Sequence, residues 1–491
     1  MQNLPHNLYR AADTRALDRL AIEAGTPGIT LMERAGAAAF DLLRKCWPQA
    51  QHLAVFCGGG NNGGDGFVIA RLAKRQGMMV SVFLLADAAK LKGEALQSYQ
   101  AMLAEHVSVE AQLPADLQGF DLAVDSLLGT GLSEPVRGPY QQAIELMNAS
   151  TIPVLAIDIP SGLSADTGVV LGVAVKAQAT ITYIGVKQGL LTGAGPDYCG
   201  ELVFAGLGVP EAIYAQVPPA AHRIDYALLK PQLPPRARGA HKGAHGHVLL
   251  IGGETGMSGA ITLAGEAALR CGAGLVSIAT RREHAALISA ARPELMSHGV
   301  ETQEEFAALL DRANVVAIGP GLGRSEWGRR MLRYVLGLKR PVVIDADGLN
   351  LLAEQPCRHD HWILTPHPGE AARLLDVATA TVQADRFEAA RALQQRYGGV
   401  VALKGAGSLI CDDQQQISLC TDGNPGMGSG GMGDVLTGVI AALLAQGFTR
   451  GDAARLGVCL HSAAADRAAH DGERGLIASD LMAHLRRLAN P

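Results

Sequence analysis

The sequence predicts an α/β protein made of two successive three-layer domains. Three observations carry this reading. Short apolar runs alternate with stretches of helical period along the whole chain. Glycine is abundant, at 59 residues, while aromatics make up only 4%, a composition suited to many tight turns between strands and helices. The length of 491 residues exceeds what one hydrophobic core ordinarily organises.

The strands read as continuous Val, Ile and Leu runs, the mark of parallel strands buried on both faces. In the first half they are expected at "HLAVFC" (52–57), "MVSVFLL" (79–85), "DLAVDS" (121–126), "VLAIDI" (154–159) and "ATITYIG" (179–185). In the second half they are expected at "HVLLIGG" (247–253), "LVSIAT" (275–280), "NVVAIGPG" (314–321), "PVVIDAD" (341–347), "WILTPH" (362–367) and "GVVALKG" (399–405). A Pro-rich, basic stretch, "VPPAAHRIDYALLKPQLPPRARGAHKGAHG", separates the two series. The expected domains are therefore 1–217 and 225–491, joined by a linker at 218–224.

Hydrophobic residues at 48% and charged residues at 18% describe a globular, soluble chain. A net charge of −5 argues against nucleic acid as a partner, because phosphate binding requires basic patches. No apolar run reaches the roughly 18 residues of a membrane span, and the N-terminal stretch lacks the pattern of a signal peptide. The eight cysteines show no metal-binding spacing, so free thiols in a reducing cytoplasm are expected.

In the second half, "GNPGMGSGGMGDVLTG" (423–438) places glycines where a helix begins. Bare main-chain N–H groups and the positive end of the helix dipole make an anion site there. Asp434 stands at the start of that helix. It reads equally well as a helix cap or as a base for a hydroxyl that attacks a bound phosphoryl group. Other strand ends carry small or polar loops. Ligands of open parallel sheets bind at the carboxyl ends of the strands. Ala260, Gly321, Asp345, His367 and the loop Lys404, Gly405, Ala406, Gly407, Ser408 are therefore expected to converge with Asp434. His367 has a plain alternative, as a residue that merely follows a strand end before Pro368.

This half resembles the ribokinase-like superfamily, and within it the ADP- or ATP-dependent NAD(P)H-hydrate dehydratases. The resemblance rests on "MSGA" (257–260), "GPGLG" (319–323), "DADGLN" (345–350), "TPHPGE" (365–370), "LKGAG" (403–407) and "GSGGMGD" (428–434), in order. It implies a ribokinase-like three-layer fold and a substrate, NADH or NADPH hydrated at C6 of the nicotinamide ring (NAD(P)HX). It further implies ADP with Mg²⁺ as phosphoryl donor and Asp434 as the base. Ala260, Gly321, His367 and Asp434 would bind the hydrate, and residues 404–408 with Gly433 the nucleotide.

In the first half, "GGGNNGGDG" (58–66) contains Gly58-x-Gly60-x-x-Gly63 after a strand and before a helix, with Asp87 ending the next strand. Those are the parts of a Rossmann dinucleotide fingerprint, so a dehydrogenase is a rival. A pyrophosphate loop, however, has no need of Asn61 and Asn62, and the Asp65 carboxylate is unfavourable beside a pyrophosphate. Oxygens from Asn62, Asp125 and Ser161 at neighbouring strand ends suit a hard cation, monovalent because one of the three is charged. Their alternative is as ordinary turn residues.

These segments, with "DSLLGTGL" (125–132) and "AIDIPSGL" (156–163), resemble the NAD(P)H-hydrate epimerases over about residues 10–207. The resemblance implies a Rossmann-like sandwich. It implies hydrate binding by Asn61, Asn62, Gly63, Gly64 and Asp65 and by Gly129, Thr130, Gly131, Leu132, Ser133, Glu134 and Pro135. It places K⁺ on Asn62, Asp125 and Ser161. Asp158 is assigned substrate contact and proton transfer between the R and S forms. Lys187 is either a second acid/base or a phosphate contact, the latter preferred. The two halves together imply a bifunctional repair enzyme, since hydration at C6 gives both epimers. Its rivals are a vitamin-precursor kinase of the hydroxymethylpyrimidine or thiazole type fused to a Rossmann module, and a first half that serves only as a scaffold. A homo-oligomer is expected from the resemblance, with the Ala-rich helical stretch near the N-terminus as a candidate seam.

Overall fold

The four central strands of the first half, His52–Cys57, Met79–Leu84, Leu122–Ser126 and Val154–Ile157, send side chains into two apolar clusters, and this builds the layers. In the computed structural model, which describes residues 4–490, Leu53, Val55 and Cys57 face one cluster. Ala54 and Phe56, between them, face the other. Side chains of successive strand residues point to opposite faces, so a run apolar throughout is covered on both. The chain divides between His222 and Arg223 into two compact units.

The first unit holds a seven-stranded, all-parallel sheet. Its spatial order is Ser108–Glu110, Met79–Leu84, His52–Cys57, Leu122–Ser126, Val154–Ile157, Ala179–Tyr183 and Glu201–Ala205. The order reverses direction between His52–Cys57 and Leu122–Ser126, where Phe56 pairs with Asp125 and Cys57 with Ser126. That reversal opens a crevice at the carboxyl ends, as in other doubly wound sheets. Helix Gly28–Cys46 turns Leu31, Met32, Ala35, Ala39, Phe40 and Leu43 into the interior, so its Ala-rich stripe is core. Strands Ser108–Glu110, Val186–Lys187, Glu201–Ala205 and Asn7–Tyr9 have no counterpart in the sequence reading. Strand Asn7–Tyr9 lies between Val186–Lys187, in parallel register, and Ala221 and His222, antiparallel.

The second unit places Met296–Gly299, Leu275–Thr280, His247–Ile251, Val315–Ile318, Val342–Ile344, Trp362–Leu364 and Val400–Leu403 in one parallel array. Ser408–Cys411 and Ile417–Cys420 extend it antiparallel. Both antiparallel strands are four-residue segments, the first after a four-residue turn and the second after a five-residue one, and they were absent from the sequence reading. Helix Met432–Ala445 is apolar almost throughout and buried against Ser258–Arg270. A Cβ on Gly438 would stand 2.0 Å from the Ala264 carbonyl oxygen, so the close approach of these helices requires glycine there. Both helices begin at the carboxyl edge of the sheet. No helix among the described residues is long and apolar enough to cross a membrane.

Candidate active sites

In the second unit the glycine-rich loop ends at Gly431, whose φ of 89° is left-handed, and helix Met432–Ala445 starts there with no side chain capping it. Asp434 lies in the first turn but does not serve as the cap. An acid in a first turn ordinarily profits from the helix dipole. Here burial pushes its pKa up to about 7, with Asp345 adding to the shift, Lys404 opposing it, and Asp347 and Glu370 contributing further. At neutral pH such a carboxyl is divided between acid and base.

Lys404 joins these acids. Its Nζ donates to Asp345 Oδ1 at 2.7 Å and lies 3.8 Å from Glu370 Oε2. Burial opposes its charge, but Asp345, Glu370 and Asp434 outweigh that and raise its pKa. Thr437 Oγ1, one turn beyond Asp434, donates to Asp345 Oδ2 at 2.9 Å. A Cβ built on Gly433 would stand 3.2 Å from Lys404 Nζ and 3.4 Å from Asp345 Oδ2. Gly433, Asp434, Asp345 and Lys404 thus meet at one corner.

Two other expected residues meet beside that corner. Gly321, at φ 57°, lies so close to the 257–260 segment that a Cβ would be 2.5 Å from the Met257 carbonyl oxygen and 3.2 Å from Ala260 Cβ. Asp347 Oδ2 accepts the Gly323 N–H at 3.0 Å, which ties this turn to the Asp345 helix. His367 caps helix Pro368–Leu375: its Nδ1 accepts the N–H of Gly369 at 3.0 Å and of Glu370 at 3.4 Å. Burial, with Lys404 and Arg373, lowers its pKa. Because Nδ1 accepts main-chain N–H groups, Nε2 is the nitrogen that carries a proton, and it lies 3.3 Å from Glu370 Oε1. In the loop 404–408, Ser408 Oγ accepts the Gly405 N–H at 3.3 Å, and residues 405 and 406 are exposed. The sequence reading missed Glu370, Asp347 and Thr437. Glu370 had a signal, since it stands three residues after His367 in capping-box spacing.

In the first unit Asp125 is fully buried at the sheet reversal. Its Oδ1 accepts Ser161 Oγ–H at 2.6 Å and the Leu127 N–H at 3.3 Å, and its Oδ2 accepts the Ser161 N–H at 2.8 Å. Even so, burial pushes its pKa up to about 6. Asn62 is buried nearby, and neither its Oδ1 nor its Nδ2 has a hydrogen-bond partner. A Cβ on Gly129 would lie 3.5 Å from Asn62 Cβ. An unpartnered buried amide is costly, roughly 1–3 kcal/mol, so its oxygen is suited to an external ligand.

Asp158 follows strand Val154–Ile157 with φ 68°, a left-handed conformation rare for a non-glycine residue and concentrated at functional sites. Its Oδ1 pairs with Lys187 Nζ, which is fully buried and also donates to Thr182 Oγ1 at 3.0 Å and the Tyr183 carbonyl at 3.1 Å. The three ammonium protons are thereby engaged inside the unit. That leaves none for the phosphate contact preferred from sequence, while a partnership with Asp158 accords with the other reading. Asp65 lies behind them: burial, then Asp158 and Asp18, push its pKa well above the carboxylate range. Asp18, on helix Ala11–Glu23, is raised to about 6 chiefly by burial. No motif flagged it. Asn61, Gly131, Ser133, Glu134 and Pro135 are exposed.

Comparison with known proteins agrees with this two-site arrangement. Residues 248–487 match a family model described as NAD(P)H-hydrate dehydratase, and residues 28–189 match one described as YjeF-related protein N-terminus. A ribokinase-like superfamily protein of Enterococcus faecalis aligns with a TM-score of 0.51 at 28% identity, over 55% of this chain and 96% of that one. The ribokinase-like fold expected of the second half is found, as is the Rossmann-like parallel sheet of the first. The bifunctional NAD(P)H-hydrate repair enzyme Nnr of Escherichia coli is 45% identical over 100% of this chain and 95% of its own. That of Coxiella burnetii is 50% identical over 99% of each chain. Similarity of that degree along the entire length, through both units and both sites, makes the chain a member of the family of bifunctional NAD(P)H-hydrate repair enzymes.

Proposed function

We propose that the first unit interconverts the R and S forms of NAD(P)HX at C6, and that the second dehydrates the S form to NAD(P)H with ADP as phosphoryl donor. The observation that carries the second reaction is the Asp434 carboxyl, free of capping duty and poised near neutrality beside the glycine-rich loop. In this scheme Asp434 removes the proton of the 6-hydroxyl, and that oxygen attacks the terminal phosphorus of ADP, expelling AMP. The C6–O bond of the resulting phosphate ester breaks under the push of the ring-nitrogen lone pair. Loss of a proton from C5 then restores the dihydronicotinamide, so the net change is NAD(P)HX and ADP to NAD(P)H, AMP and phosphate. The main-chain N–H groups of residues 430–433 stabilise the transferring phosphoryl group, and residues 404–408 hold the nucleotide. Ala260, Gly321 and His367 bind the hydrate, His367 through its Nε2 side. Mg²⁺, arriving with the nucleotide, would offset its phosphate charge, and the carboxylates of Asp345, Asp347 and Glu370, in surplus over Lys404 at this corner, suit a hard divalent ion.

The test is to incubate the protein with ADP and the S hydrate. Return of the reduced-nicotinamide absorbance with release of one AMP and one phosphate per turnover is expected. A stable phosphorylated product would instead mark a small-molecule kinase.

For epimerisation, residues 61–65 and 129–135 would hold the substrate and Asp158, paired with Lys187, would move the proton. K⁺ fits Asn62 Oδ1, the Asp125 carboxylate and Ser161 Oγ, because Asn62 Oδ1 is buried without a partner and Asp125 is a buried acid. A cation there would supply the positive charge that keeps Asp125 ionised against its burial. Epimerisation is accordingly expected to rise with K⁺ against an organic cation at equal ionic strength, and Asn62→Ala to flatten that response. A steep K⁺ response retained in Asn62→Ala would remove the site. Eight free cysteines suit the reducing cytoplasm in which we place the protein, and by analogy with its family we expect it to assemble as a homo-oligomer.

A further inference from the structure

We propose that Arg386 is a positioning residue for nucleotide binding in the second unit, holding the 404–408 loop in its receptive shape from beneath. The inference rests on the reading that this loop binds ADP. Arg386 opens helix Arg386–Tyr397, whose cap is the neighbouring Asp385, and it is 1% exposed. A guanidinium is among the most expensive groups to bury, and it stays buried only where its fork of N–H donors is matched. Here the fork is matched largely by the loop. Nη1 donates to the Lys404 carbonyl at 3.3 Å and to Gln383 Oε1 at 3.2 Å. Nη2 donates to the carbonyls of Leu403 at 3.4 Å, Lys404 at 3.4 Å and Gly407 at 3.3 Å.

Three consequences follow for the loop. First, the Lys404 and Gly407 carbonyl oxygens, which would repel an anionic ligand, are gathered inward. A planar trans peptide sends the N–H to the side opposite its carbonyl, so the Gly405 N–H is directed away from Arg386. Second, Gly405 is compelled by both shape and space. Its φ is 145°, and a Cβ would stand 2.5 Å from Arg386 Nη1. Third, the cation itself lies under a site for a polyanion. Burial lowers its pKa to about 10, which leaves it charged at neutral pH. Holding the Lys404 main chain also fixes the root of the side chain that reaches Asp345. Lysine cannot replace it, because an ammonium lacks the planar fork that spans carbonyls from residues 403, 404 and 407.

The test uses full-length Arg386→Gln and Arg386→Lys beside Gly407→Ala, which strains the loop at φ 64°. Loss of several hydrogen bonds from a charged donor predicts a rise of about tenfold or more in KM for ADP in Arg386→Gln. Its KM for the S hydrate and its kcat at saturating ADP are expected to stay within about threefold. Arg386→Lys is expected to recover less than half of the lost ADP affinity on a logarithmic scale. A parent-like cooperative melting transition of the second unit without nucleotide reports that this unit is folded, and the ADP-induced rise in Tm reads nucleotide binding without turnover. Equal losses in kcat and both KM values would make Arg386 a structural residue and overturn the inference. So would ADP binding lost in Gly407→Ala but intact in Arg386→Gln. ADP binding intact in both would overturn the nucleotide-loop reading as well.

Discussion

Asp434→Asn is expected to lower dehydration turnover by about 10²-fold or more while leaving KM for ADP within a small factor. The amide keeps the size of the carboxyl but cannot accept the 6-hydroxyl proton. Since the structure shows that Asp434 caps nothing, no cap is lost with it. The pH dependence gives a second reading of the same group. With its pKa raised to about 7, the base form accumulates as pH rises through neutrality, so kcat/KM is expected to climb with pH and level off above it. The same shift fixes a sign for stability. Below its ordinary value of about 4 the carboxyl is protonated in both folded and unfolded chains. Between there and about 7 only the unfolded chain ionises, so folding stability falls as pH rises, and above 7 the full penalty remains. Asp434→Asn removes that penalty. Its Tm is expected to exceed the parent's at about pH 8 and to match it near pH 4. Unchanged turnover in this variant, with the fold intact, would leave Asp434 without a chemical role.

The second large effect belongs to Asp158. Asp158→Ala is expected to abolish epimerisation, by about 10²-fold or more, and to destabilise the first unit. It leaves Lys187 as a buried ammonium without its partner, which costs about 3–5 kcal/mol, and alanine tolerates the left-handed backbone poorly. The double variant Asp158→Asn, Lys187→Met separates chemistry from stability. Both charges are removed together, and asparagine adopts φ 68° readily. An equal mixture of epimers with ADP then gives a direct readout. The parent is expected to convert the entire pool, whereas the double variant stops once the S half is consumed. Full conversion by the folded double variant, faster than spontaneous epimerisation, would remove the proton-transfer role.

The strand runs, the glycine-rich turns and the position of Asp434 were legible because each is local. A strand buried on both faces must be apolar throughout, and a main chain that approaches an anion must shed its side chains. "HLAVFC" became strand His52–Cys57 residue for residue, and "GSGGMGD" became the turn into helix Met432–Ala445. The antiparallel extension at Ser408–Cys411 and Ile417–Cys420 was not legible, because four-residue strands carry too little period to separate them from loop.

What the amino-acid order alone determined was the α/β class, the carboxyl-end turns and the residue types needed at both sites. What only the tertiary structure decided was charge and company. Lys187 and Asp158 lie twenty-nine residues apart, and Lys404 and Asp345 fifty-nine, yet each pair shares one proton-rich contact. Asp18 and Arg386 carry no motif at all. The reason is that burial and through-space Coulomb energy set a group's ionisation and partners, and both depend on which distant segments pack around it, a quantity that spacing along the chain does not contain.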